Sequence, residues 1–365
     1  SKADGHSSFA GAVGSSSAGT RQVSIGHYAG NNTEGSSTPA KPADYAVFIG
    51  NYAGSDAAGT NGNTNGVAIG SEAGRYLQSG SNNTAIGSQA GQYVEGSLNA
   101  SLGQGAGKYV KGNNNIAMGT QAGTGTATEK LEVSGTTAIG NTAKALTNDS
   151  VAIGTTAKSG KVDKFSGERS VAIGAYSEAL GTGGIAIGDS AATTNGHNGV
   201  AIGVYSKTQN EKAISIGAFN KATGAQSIVI AGNYDLKNSD GVSVASGTRA
   251  TVIGAETTVS GNNSVAIGDT NTVASVRTYA MGNNINVAAG ADDSLAFGTK
   301  ASVAGINTIA MGNTAQSKTR HSIAIGQDAS AGDDSANAEQ KGVSAVAIGH
   351  GAQANYYDAI AIGAR

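Results

Sequence analysis

Cysteine and tryptophan are absent from this 365-residue chain, proline occurs twice, and aromatic residues make up only 5%. Without cysteine there are no disulfides, thiolate zinc sites or cysteine nucleophiles, a composition that suits a surface protein folding after export without oxidation chemistry. Charge is also scarce, at 13% of residues and a net −2. The chain therefore has neither the phosphate-neutralising surface of a nucleic-acid binder nor a polybasic membrane patch. No apolar run approaches the roughly 20 residues that span a bilayer, and Ser1-Lys2-Ala3-Asp4 is no signal peptide. No direct membrane contact by this segment is expected, and any exporting or anchoring part is expected outside it. His6, His27, His197, His321 and His350 are scattered, with no second ligand at metal spacing. The pairs Asp292-Asp293 and Asp333-Asp334 read as polar turns, so no metal, cofactor or catalytic site is expected.

What is abundant is glycine, 57 residues of it, and a recurring tetrapeptide. Val151-Ala152-Ile153-Gly154 returns at Val171 to Gly174, Ile185 to Gly188, Val200 to Gly203, Ile323 to Gly326, Val346 to Gly349 and Ile360 to Gly363, and it stands in its fullest form as Asn263-Ser264-Val265-Ala266-Ile267-Gly268. Such self-similarity marks a repeat architecture with a thin, regular core. Residues 1–22 read as an N-terminal cap, with a degenerate unit at Gly11-Ala12-Val13-Gly14. In residues 23–136 the motif glycines are spaced by 16 to 24 residues and tend to be followed by Ala-Gly and often a tyrosine. Tyr93-Val94-Glu95-Gly96 and Tyr109-Val110-Lys111-Gly112 are near copies sixteen residues apart, so their tyrosines should stack on successive turns. In residues 137–365 the ground period is fourteen. Two degenerate units, Ile228-Val229-Ile230-Ala231 and Val242-Ser243-Val244-Ala245, fill the interval between Gly217 and Gly254.

Fourteen residues cannot hold a strand, a helix and two connections, so helical solenoids and leucine-rich repeats are excluded. Two strands of about five residues and two tight turns fit, which makes each repeat one coil of an all-β parallel solenoid. In Val265-Ala266-Ile267 the β-branched side chains share one face and the alanine points to the other. Gly268 supplies a permissive backbone for leaving the strand, and Gly261-Asn262-Asn263 marks the opposite turn. The middle position is small or apolar in most units instead of polar, so both faces are expected to be buried, one inside the coil and one against neighbouring chains. Which is which stays open at this level. About 22 coils at roughly 4.8 Å each would make a rod on the order of 100 Å long.

Insertions should leave the stack as corner loops, the clearest being residues 31–46, 55–66, 124–136, 158–169 and 327–345. The fourth adds Lys158, Lys161, Lys164, Phe165 and Arg169 to a charge-poor surface and is the candidate ligand-binding loop; a solvated charged loop is the ordinary alternative.

The repeat resembles the head of the trimeric autotransporter adhesins, the YadA-like heads. Their Asn-Ser-Val-Ala-Ile-Gly signature stands whole at Asn263 to Gly268 and, with one substitution each, at Asp149 to Gly154 and Arg169 to Gly174. The Tyr-bearing Ala-Gly coils and the lysine-containing insertion are similar to the heads of the Moraxella ubiquitous surface protein A group. The resemblance implies a left-handed parallel β-roll with a 14–16 residue repeat, assembled as a homotrimer. It also implies a bacterial cell-surface location, with anchoring in the outer membrane through a stalk and barrel beyond this segment. The implied function is adhesion to host extracellular-matrix proteins such as fibronectin, laminin or collagen. A structural surface rod is the alternative. Left-handed β-helix acyltransferases, with a period of six and a catalytic histidine, and ice-binding solenoids, with Thr-x-Thr ladders, fit the pattern less well.

Overall fold

Each repeat closes into a coil with two unequal walls. The computed structural model describes residues 1–31, 43–56, 64–77, 80–161, 168–195, 197–232, 242–332 and 343–364. They form two compact units, Ser1–Ser190 and Ala191–Arg365, with eleven three-residue strands in each and therefore about 22 coils in all. Val265–Ile267 pairs in parallel with Thr251–Ile253 on one side and Tyr279–Met281 on the other, each partner fourteen residues away. The opposite wall is built from two-residue strands such as Val244–Ala245, Thr258–Val259 and Thr272–Val273, again in parallel register. No helix is present among the described residues.

These strands are shorter than the five residues expected, because the corners consume the rest of the period. In the coil that begins at Asn263, that residue adopts φ 56°, Gly268 114°, Thr270 57° and Arg277 53°. A left-handed residue reverses the pleat and ends the pairing, so only three and two residues per wall remain extended. Gly268 cannot be replaced at its corner. An added Cβ would lie 2.0 Å from the carbonyl oxygen of Gly282, and Gly254 stands in the same relation to Gly268, at 2.2 Å.

The core is one small side chain deep on the three-residue wall. Ala266, Ala280, Ala296 and Ala310 are fully buried and face Val259, Val273, Val287 and Val303, also fully buried, on the other wall. Side chains alternate in a strand, so the large residues on either side of the buried alanine, Val265 and Ile267, point outward and are half-exposed. That answers the question the sequence left open: alanine is the inner residue and the β-branched pair is the outer one.

The structure corrects several finer expectations. Val244–Ala245 is a two-residue strand that pairs with Lys221–Ala222 and Thr258–Val259, so Val242-Ser243-Val244-Ala245 completes the coil of Ile228–Ile230 instead of starting another. Ile228–Ile230 pairs directly with Thr251–Ile253. The insertion between the two walls of that coil happens to restore a spacing of fourteen, which is why the sequence looks like two units there. Near the N-terminus the strand is Phe9–Gly11, in register with Val23–Ile25, and Ala12, at φ 87°, takes the place of the motif glycine. Residues 124–136 are not wholly a loop, since Leu131–Glu132 pairs with Val110–Lys111.

Candidate functional site

Three outward features could meet a partner: the three-residue wall, the corners, and a column of aromatic rings. On the three-residue wall, every outward position of the 22 strands is uncharged, and nearly all are Val, Ile, Leu, Met, Thr or aromatic. Ile25, Ile173, Ile187, Ile202, Ile216 and Ile253 are among the exposed large hydrophobic residues. Outward positions on the other wall are of a different kind, with Lys144, Lys158, Glu178, Lys207, Lys221, Asn286 and Gln316 among them. The coil thus presents one apolar and one polar side. A contiguous apolar surface of this sort is a mark of an interaction site.

The signature hexapeptide can now be assigned residue by residue. Asn263 is exposed and occupies a left-handed corner, a conformation asparagine tolerates. Ser264 is fully buried; its Oγ donates to the Ser275 carbonyl at 2.8 Å and accepts from the Thr278 amide at 3.0 Å, which ties one coil to the next. The neighbouring corner residues do similar work. Asn262 Oδ1 accepts from the Thr248 amide at 2.8 Å, Asn148 Oδ1 from Ser134 at 2.9 Å and Asp269 Oδ1 from Ala255 at 2.8 Å. In the first unit a buried ladder of Asn83, Asn99 and Asn115 ends on Thr136, with each asparagine Oδ1 accepting from the backbone amide of the next coil at 3.0 to 3.1 Å. These side chains satisfy backbone donors that the corners would otherwise strand. The hexapeptide is scaffold.

The tyrosines form two stacks, not one. Tyr28 and Tyr52, which precede Ala-Gly, stack at 5.3 Å; Tyr76, Tyr93 and Tyr109, which follow it, stack at 4.6 and 4.8 Å. Arg75 joins the two, its guanidinium 4.4 Å from the Tyr52 ring centre and 4.5 Å from that of Tyr76. Its Nε donates to Asp56 Oδ2 at 2.9 Å, and Glu72 lies 3.6 Å from its Nη1. Burial works against the Arg75 charge, yet the hydrogen bond to Asp56 and the nearby Tyr76, Asp56 and Glu72 hold its pKa above the ordinary value. Burial, followed by the neighbouring Tyr76 and Tyr109, raises that of Tyr93. Sequence reasoning anticipated the stacking but missed the change of position and the arginine that bridges it. The available signal was that tyrosine moves from before Ala-Gly to after it at Glu72-Ala73-Gly74-Arg75-Tyr76.

Of the candidate basic loop, the structure describes Lys158, Lys161 and Arg169. Lys158 is half-buried on the polar wall, in register with Lys144 on one side and Glu178 on the other. Lys161 follows at the edge of the described segment. Arg169 is exposed at a left-handed corner leading into Val171–Ile173, at the position that Asp149 takes in the preceding coil. Lys164 and Phe165 lie outside the described residues, as do Asp333 and Asp334. Asp293 is held by Arg277 through two hydrogen bonds of 2.5 and 2.8 Å, and Asp292 accepts from the Val276 amide at 3.1 Å, so this acidic pair is a polar turn. Among the described residues no group of three or more His, Asp or Glu side chains is placed to hold a metal ion.

Comparison with known proteins finds a family repeat in part of the chain. The YadA head domain repeat matches residues 134–157, 166–191, 245–271, 289–315, 304–329 and 341–365. All six matches fall in or at the threshold of the fourteen-residue part of the chain, and none reaches the Tyr-bearing coils. No curated protein matches the chain. The chain carries YadA head domain repeats over these segments.

Proposed function

We propose that this YadA-like head works as a homotrimer on the bacterial cell surface and mediates attachment, with three left-handed rolls meeting through their apolar walls. The observation that carries the reading is the outward row of uncharged side chains, present in both units. Left in water, such a row would be unfavourable by roughly 25 cal/mol per Å² of apolar area, and packing against identical rows removes it. Closed symmetry then places the same wall of every copy at the centre and the polar walls and corners outside. The proposed ligands are host surface or extracellular-matrix proteins such as fibronectin, laminin or collagen. They would be met on that outer side, where Lys158, Lys161, Lys164, Phe165 and Arg169 are the proposed contacts. The membership of the repeat in an adhesin family favours attachment over a purely structural rod.

Sedimentation equilibrium of the purified chain tests the assembly, with three times the chain mass expected; a single-chain mass would refute the trimer. A plate assay with immobilised fibronectin, laminin and collagen tests the function. Charge reversal at Lys161 and Lys164 together is expected to weaken binding to at least one of them about tenfold. Unaltered binding to every ligand that the native head captures would remove the loop from the site.

A further inference from the structure

The apolar wall that would hold copies together has a defect as a recognition surface: it repeats. In the unit Ala191–Arg365 the outward residues of nine of the eleven three-residue strands are Val, Ile or Thr at the first position and, in all nine but one, Ile at the third. The exception is Ile309–Met311. Sliding one copy along another by a single coil, about 4.8 Å, would bring Val and Ile back against Val and Ile. Such a face favours association but specifies its axial register only weakly, the same degeneracy that lets uniform strands slip.

Five residues break the degeneracy, and they are contiguous. Tyr279 and Met281, Leu295 and Phe297, and Met311 are the only outward side chains of those eleven strands that are not β-branched. They occupy three successive coils, with Tyr279 in register with Leu295, Met281 with Phe297, and Phe297 with Met311. Tyr279, Met281, Phe297 and Met311 are all exposed. The backing is firm here. Ala280, Ala296 and Ala310 lie beneath the cluster, and Val273, Val287, Val303 and Ile285 are fully buried in the same core, where much of the rest of the chain has Ala, Ser or Thr on the second wall.

We infer that Tyr279, Met281, Leu295, Phe297 and Met311 set the axial register in which copies of this chain associate. The inference rests on the homotrimer proposed above, and its partner is a second copy of this chain. A wall whose rows recur at the coil spacing is matched over several coils only by a wall with the same rise. In register, the rings of Phe297 from each copy meet at one level with flexible methionines above and below, a setting that aromatic and thioether groups fill well. One coil out of register, each Phe297 ring would meet Met281 or Met311, and Tyr279 would meet Val265 or Leu295. Each of these layers would then be overfilled or left with a void.

The absence of cysteine makes the test direct. Ile325 and Ile348 are outward residues of adjacent coils. Chains carrying Ile325→Cys are co-refolded with chains carrying Ile348→Cys, oxidised, and the mixed disulfide is quantified against the two like-with-like disulfides. With the native cluster, like-with-like products should dominate. Replacing the cluster (Tyr279→Val, Met281→Ile, Leu295→Val, Phe297→Ile, Met311→Ile) should raise the mixed product about tenfold while sedimentation still reports the trimer. A trimer with an unchanged cross-link ratio would overturn the register inference alone. A single-chain mass for the native head would overturn the homotrimer and the inference with it, and would leave the patch to a different protein. Should the fivefold variant not fold, Phe297→Ile alone carries the same comparison, since its side chain lies outside the coil core; an unchanged ratio there counts equally against the inference.

Discussion

At the scale of single residues, left-handed corners and stacked glycines are what make a fourteen-residue coil possible. Gly268→Ala would force a Cβ to within 2.0 Å of the Gly282 carbonyl oxygen at φ 114°, and neither backbone can retreat without disturbing the next coil. A loss of about 3 kcal/mol or more is expected, measurable as a fall in the urea midpoint. Asn263→Gly should be nearly silent in the same measurement, because glycine adopts the left-handed corner at least as readily. Tyr93 gives a pH-dependent signature. Its folded pKa is raised, chiefly by burial, so the folded state retains the phenolic proton after the unfolded chain has lost it. Stability tied to this group is therefore complete below the unfolded value near 10 and is lost as pH rises through the folded value. Tyr93→Phe should flatten that decline in urea midpoints taken between about pH 9 and 11. An equally steep decline in the variant would show that another group causes it.

Single strands show which side of the wall does what. Ala266→Asp would place an unpaired carboxylate in a core only two small side chains thick, and loss of the folded coil is expected by circular dichroism. Ile267→Asp, one residue away and outward, should leave the coil folded and lower the sedimenting mass instead. Equal loss of fold in both variants would contradict the division into inner alanine and outer isoleucine. The aromatic column is an element of its own. Arg75 is sandwiched between Tyr52 and Tyr76 and hydrogen-bonded to the nearly buried Asp56, so Arg75→Ala removes two ring contacts and leaves a carboxylate without its guanidinium. A cost of about 2 to 4 kcal/mol is expected. Arg75→Lys should recover only part of it, because an ammonium cannot lie flat between two rings.

For the whole molecule, the contrast between the two walls matters more than any one residue. The outward positions of the described two-residue strands carry many charged and amide side chains; those of the described three-residue strands carry none. A solenoid built this way stacks along its axis through backbone pairing and presents one apolar face sideways, leaving the other face and the corners free to vary. Insertions can grow there without disturbing the stack. The fourteen-residue part of the chain carries the family repeat, and the Tyr-bearing part lies outside it. There the tyrosine stacks and the asparagine ladder hold successive coils together.

Much of this was legible in the sequence because a repeat states its rule many times over. The period of fourteen, the all-β solenoid, the alternation within Val265-Ala266-Ile267 and the corner at Gly268 follow from steric rules that act within a few residues. Other features depended on atoms far apart in the chain and needed the tertiary structure. Alanine packs inside because Val259 and Val273 on the opposite wall fill the space that a larger inner residue would need. Val242 to Ala245 belongs to the second wall because an insertion restored the spacing while the pairing of Val244–Ala245 with Lys221–Ala222 did not follow it. Lys158 and Arg169, near in sequence, occupy a wall and a corner of their coils. Local periodicity fixes the coil, whereas the direction each face looks is decided by which residues meet when the coil closes.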